Sequence, residues 1–234
     1  KWELVNDICD STNLKKYLVQ LNPKDVSVEN VERNSQFFKR SVFAAVAGYT
    51  SRGFVGKAFT KPPTLEVPEE LAYVSSDVNG AGASIYQQSQ EVMRDVIRVG
   101  RCGLLVDFPT TDGEVSRADI LRGNIFATIT RFDCREIINW QTKRVGSKVM
   151  PTLVVLTSTV SEPKSDGYEF EVKDIWIELA LEEGVYVQRE WRKDNHNDFY
   201  VYSETIPRDG FGNTLDYLPF VFIGSEMNTT NVDH

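Results

Sequence analysis

At Gly100 the hydrophobic period of this sequence changes from that of a helix to that of a strand. Before it, apolar residues recur every three or four positions; after it, they alternate or run together. A chain patterned this way is expected to fold as α+β, with helices first and a mostly antiparallel sheet after them. The ten residues Gly100-Arg101-Cys102-Gly103-Leu104-Leu105-Val106-Asp107-Phe108-Pro109 hold the switch: a glycine that stops a helix, an apolar run, and an acidic turn closed by proline.

On the helical side, Trp2–Cys9 reads as a short helix. The stretch Asn30–Phe59 reads as a longer one, with Phe38, Val42, Ala45, Val46 and Tyr49 on one face. Gly53 and Gly56 weaken its end, and Pro62-Pro63 stop it. The punctuated segment Lys61–Ala83 carries at most one helical turn, around Glu69–Val74. A second strong helix runs from Ser84, a capping residue, to Val99.

On the strand side, Leu104–Phe108, Ile125–Arg131, Ile137–Arg144 and Met150–Val160 read as strands, with a turn at Asp112-Gly113 and a short helix at Arg117–Leu121 between the first two. Val172–Glu182 alternates cleanly, with Ile175, Ile177, Leu179 and Leu181 on one face. Turns at Glu183-Gly184 and Asp194-Asn195-His196-Asn197 make Val185–Arg192 and Phe199–Ile206 the next strands of a meander, which Tyr217–Ile223 closes. The expected division is a helical region over 1–100, a β-rich region over 101–224, and over 225–234 a polar connection to segments that follow. The chain, which begins at Lys1, reads as a piece of a larger protein.

At 234 residues there is length enough for a sizeable core. No apolar run approaches the length that spans a bilayer, so no membrane partner is expected. Cys9, Cys102 and Cys134 are odd in number and widely spaced, which argues against disulfides and zinc. The net charge of −8 disfavours a protein that grips nucleic acid over most of its surface, yet suits an acidic wall past which DNA slides.

Candidate chemistry is sparse. Asn79-Gly80-Ala81-Gly82-Ala83-Ser84 precedes a helix but lacks the strand, third glycine and lysine of a phosphate loop, so a capping turn is the better account. Asp107 at a strand end resembles a metal or catalytic carboxylate; its plainer role is to open a turn by bonding nearby N–H groups. The two histidines, His196 and His234, lie in a polar turn and at the chain end, where no Ser-His or Cys-His pair can be built. Arg33, Lys39, Arg40, Arg52, Lys57 and Lys61, interleaved with Phe37, Phe43 and Phe54, read as solvated charges on a helix packed on the sheet before they read as a nucleic-acid surface. Glu69-Glu70 and Glu182-Glu183 read as solvated turn ends. No catalytic residue, cofactor or metal ligand is expected.

Several blocks occur in a telling order. They are Ser41-Val42-Phe43 to Gly48-Tyr49, running into Gly53-Phe54-Val55-Gly56-Lys57-Ala58-Phe59-Thr60-Lys61-Pro62-Pro63; then Gly100 to Pro109, with Arg101, Gly103 and Asp107; then Glu136-Ile137-Ile138-Asn139-Trp140; then Leu218-Pro219-Phe220-Val221-Phe222-Ile223. In this order they resemble a branch of the tailed-bacteriophage portal proteins. The resemblance implies the wing-like first half of a non-enzymatic ring subunit, with stem and clip beyond His234. It implies a homo-oligomeric ring, usually dodecameric, at the capsid vertex of a virion assembled in the bacterial cytoplasm. Its implied partners are the terminase large subunit, the major capsid and head–tail adaptor proteins, and double-stranded DNA passing without sequence readout. The alternatives are a metal-dependent α+β hydrolase using Asp107, or another virion component such as an adaptor or baseplate protein.

Overall fold

The computed structural model describes residues 1–108, 125–164, 167–209 and 212–224. The fold is mixed α+β, with antiparallel sheets of three and five strands. The expected turn at Asp112-Gly113, the short helix at Arg117–Leu121, Pro109 and the connection 225–234 lie outside the described residues. The chain divides into two compact units. One comprises Lys1–Pro62 with Ile97–Val99, the other Pro63–Val96 with Gly100–His234.

The first unit contains α1 (Trp2–Asp10), a 3-10 turn (Leu14–Tyr17), α2 (Val28–Arg40) and α3 (Val46–Ala58). The single long helix expected over Asn30–Phe59 is therefore two. The break comes at Ser41, whose backbone is extended, and whose N–H and hydroxyl both donate to the Phe37 carbonyl, ending α2. With the helix interrupted, Phe38, Val42, Ala45, Val46 and Tyr49 do not form one buried face. Val42 is 95% exposed and Tyr49 70%.

Both helices turn their small or polar residues inward. The buried face of α3 is Gly48, Ser51 and Val55, and a Cβ at Gly48 would collide with the Cys9 carbonyl of α1. The buried face of α2 is Asn30 and Asn34. Asn34 exchanges two hydrogen bonds with the backbone of Leu21, at 2.7 and 2.9 Å, while the Asn30 amide donates to the carbonyls of Asn22 and Asp25. Buried amides are tolerated because each finds a backbone partner.

In the second unit a 3-10 turn (Glu69–Ser75) leads to α4 (Ile85–Val99), of which all but the last turn belongs here. Ser84 and Gln87 form a reciprocal capping box at its start. Gly100 ends it in the left-handed region at φ 86°, its N–H bonded to the Val96 carbonyl. Then come β1 (Arg101–Asp107), β2 (Thr128–Asp133), β3 (Ile137–Val145), β4 (Lys148–Pro163), β5 (Phe170–Glu182), β6 (Val185–Lys193), β7 (Phe199–Thr205) and β8 (Phe220–Gly224). The strand expected from Ile125 begins only at Thr128. The three residues before it are held otherwise: Phe126 packs on the Tyr73 ring, and Tyr73 donates to the Ala127 carbonyl at 2.8 Å.

Strand order is β2-β1-β8 in one sheet and β3-β4-β5-β6-β7 in the other. The last strand thus leaves the meander and pairs with β1, with Leu104 opposite Val221. A single core joins the two sheets. Leu105, Phe132, Phe220 and Phe222 of the first pack with Ile137, Val154, Leu156, Leu179 and Tyr186 of the second. Helix α4 anchors to the smaller sheet through Gln88, whose amide donates to the Ile129 carbonyl, and through an ion pair between Asp95 and Arg131 of β2.

Candidate functional site

The residues singled out in Gly100–Asp107 converge with Trp140 and Pro219 on one seam between β1, β8 and β3. Arg101, only 8% exposed, lays its guanidinium over the Trp140 ring, 5.0 Å from the centroid. Trp140 in turn meets Phe222 edge-on at 6.1 Å. Gly103 sits under Phe220, whose ring a Cβ there would strike, so the glycine is required by close approach and not by its backbone angle. The Pro219 carbonyl accepts the Val106 N–H at 2.8 Å, extending the β1–β8 ladder to the strand entrance.

Asp107 ends β1 half-buried at the rim of this seam. Its Oδ1 accepts the N–H of Phe108 at 2.9 Å, and the Gln188 side chain lies nearby. The Tyr186 hydroxyl, on a side chain 1% exposed, donates to Gln188 Oε1 at 2.8 Å. Burial pushes the Asp107 carboxyl above its ordinary range, more than the Phe108 N–H and the neighbouring Gln188 lower it. The arrangement is a turn-capping carboxylate, with the Tyr186–Gln188 pair of the second sheet nearby. Among the described residues, no group of three or more His, Cys, Asp or Glu could hold a metal ion.

The remaining sequence candidates are dispersed. Gly53 and Gly56 lie within α3, with open space where a Cβ would stand, and the helix runs through both to Ala58. Pro62 and Pro63 follow it in exposed, irregular backbone. In the Asn79–Ser84 loop the N–H groups of Ala81 and Ala83 donate to Asn79 Oδ1, and that of Gly82 to Asp77 Oδ1, so three of its donors are taken up by side chains of the same segment. The His196 N–H donates to Asp194 in a turn, and His234 lies outside the described residues. Cys9, Cys102 and Cys134 are buried free thiols; burial pushes Cys102 and Cys134 up to about 12, leaving them protonated and unreactive at neutral pH.

Sequence reasoning missed two polar hubs on the larger sheet. Arg189 bridges Glu178, Glu182 and Glu204, at 3.1, 2.7 and 2.6 Å, across β5, β6 and β7. Arg192 pairs with Glu162 and Glu190 beneath the Tyr202 ring. The alternation of the strands signals which face is wet, but which strand neighbours which is needed before the pairs can be read. No helix among the described residues is long and apolar enough to cross a membrane. A scan against models of protein families and a search of curated proteins both match nothing.

Proposed function

We propose that this chain is the wing-like first half of a subunit of a tailed-bacteriophage portal ring: a structural, non-enzymatic conduit for DNA at the capsid vertex of the virion. One observation carries the reading. Blocks that resemble the portal branch, separated by more than a hundred residues, contribute Arg101, Gly103, Trp140, Pro219 and Phe220 to a single packed seam. Residues that meet only in the folded chain, and that serve packing there, are what a scaffold needs.

On this reading the ring is built from copies of the chain, usually twelve, and is assembled in the host cytoplasm. Terminase docks on it and supplies the work of packaging; capsid and head–tail adaptor proteins hold it. The net charge of −8 keeps DNA sliding past without adhesion. Electron microscopy of the full-length protein tests the proposal. Closed rings with a central channel are expected, and a monodisperse monomer at high concentration would overturn it.

A further inference from the structure

The segment that ends α2 and runs through α3 carries charge of one sign. From Arg33 to Leu65 there are six cations (Arg33, Lys39, Arg40, Arg52, Lys57 and Lys61) and not one carboxylate. All six are exposed, and none is in an ion pair among the described residues. Elsewhere Arg98, Arg131, Arg189 and Arg192 each hold a carboxylate.

Between these cations lie large apolar side chains that the fold turns outward: Val42, Val46, Tyr49 and Phe54, the last 60% exposed. The Arg52 guanidinium covers the Tyr49 ring at 4.9 Å. Exposed apolar side chains set among uncompensated charge mark a protein-binding surface. A duplex backbone would satisfy the cations but offers nothing to Val42, Val46 or Phe54.

We infer that this basic, apolar face of α3 and its flanks docks on the carboxylate-rich surface of a second copy of this chain. Outside Arg33–Leu65 the chain has 20 cations against 34 Asp and Glu, a net charge of −14. A face on which Arg52, Lys57 and Lys61 have no ion pair among the described residues repels its own counterpart, so a symmetric pairing through it is disfavoured. Basic face on acidic surface is a head-to-tail contact, the kind that closes into a ring. The inference rests on the ring proposed above and assigns one side of its subunit contact.

The test uses the full chain and two double variants, R52E/K57E and Y49S/F54S, followed by sedimentation velocity across a dilution series. Melting curves by circular dichroism verify that each variant folds. Assembly of the wild type, weakened about tenfold or more in both variants, is the expected result. If Y49S/F54S does not fold, R52E/K57E alters only exposed side chains and carries the test alone. Assembly unchanged in R52E/K57E overturns the inference while leaving the ring intact; a wild-type monomer at every concentration overturns both. Loss of binding to a random-sequence DNA duplex, with assembly unchanged, would assign the face to nucleic acid instead.

Discussion

Asp7 shows how much one side chain can hold when burial and hydrogen bonding coincide. Its carboxylate accepts from Thr12 Oγ1, Asn13 Nδ2 and the Tyr17 hydroxyl, and lies 2.8 Å from Lys16 Nζ. These four partners tie α1 to the 3-10 turn that follows it. The Lys16 ammonium, and then the Tyr17 hydroxyl, hold the Asp7 carboxyl well below the usual carboxylate range. A carboxylate whose pKa is depressed by folding stabilises the protein above its unfolded value, and that stability is lost as pH falls below about 4. Replacing it, as D7N, is expected to lower stability at neutral pH and to flatten the acid limb of the curve. Melting temperatures between pH 3 and pH 7 measure both effects; an acid limb as steep as the wild type's would assign the acid sensitivity to other carboxylates. The sequence shows an aspartate in a short helix, but its partners come from a left-handed turn at Ser11 and Asn13 that no local pattern announces.

At the scale of elements, β5 and α3 mark the two extremes of legibility. The alternation of β5 could be read directly, because one face packs on the core and the other meets water: Leu179 is fully buried while Glu182 is exposed. Its turn was legible too. Glu183 and Gly184 both have positive φ, at 51° and 83°, the pair that a two-residue hairpin with the twist of its strands requires. Asparagine tolerates the first of those positions better than glutamate. E183N is expected to stabilise the protein by about 0.5–1 kcal/mol, raising the urea midpoint with no change in slope. A lower midpoint would show that Glu183 makes a contact worth more than its backbone strain. In α3, by contrast, periodicity identifies a face but not the side it is on. Large apolar residues point outward because the inner face must take Gly48 against a backbone carbonyl. Close approach of two helices favours small residues, and helical spacing carries no mark of it.

For the β-rich unit as a whole, the shared core makes the two sheets one cooperative body. Leu156 of β4 has no exposed surface and belongs to the same cluster as Leu105 and Phe220 of the other sheet. L156A is expected to cost about 2–5 kcal/mol through lost burial and a residual cavity. Because that core serves both sheets, near- and far-ultraviolet circular dichroism should lose signal in one coincident transition. Two separated transitions would show that the sheets fold independently.

By itself, the sequence determined the class of the fold and the place where helix gives way to strand. It also determined the hairpin turns at Glu183-Gly184 and Asp194–Asn197, since each is encoded by residues within a few positions of one another. Glycine at 100 and the Ser84 cap act through their own backbone and first-turn neighbours, so no distant contact is needed to read them. Tertiary structure decided what depends on chain segments far apart. It placed β8 beside β1, not at the end of the meander, and there the aromatic pair Phe220 and Phe222 packs into the core that both sheets share. It broke the long helix, turned Val46, Tyr49 and Phe54 of α3 outward, and gave Gly103 its reason in a ring contributed from more than a hundred residues away. The ten residues from Gly100 to Pro109 declare a helix stop and a strand. Only folding brings Arg101 over the Trp140 ring and makes that strand the centre of a seam.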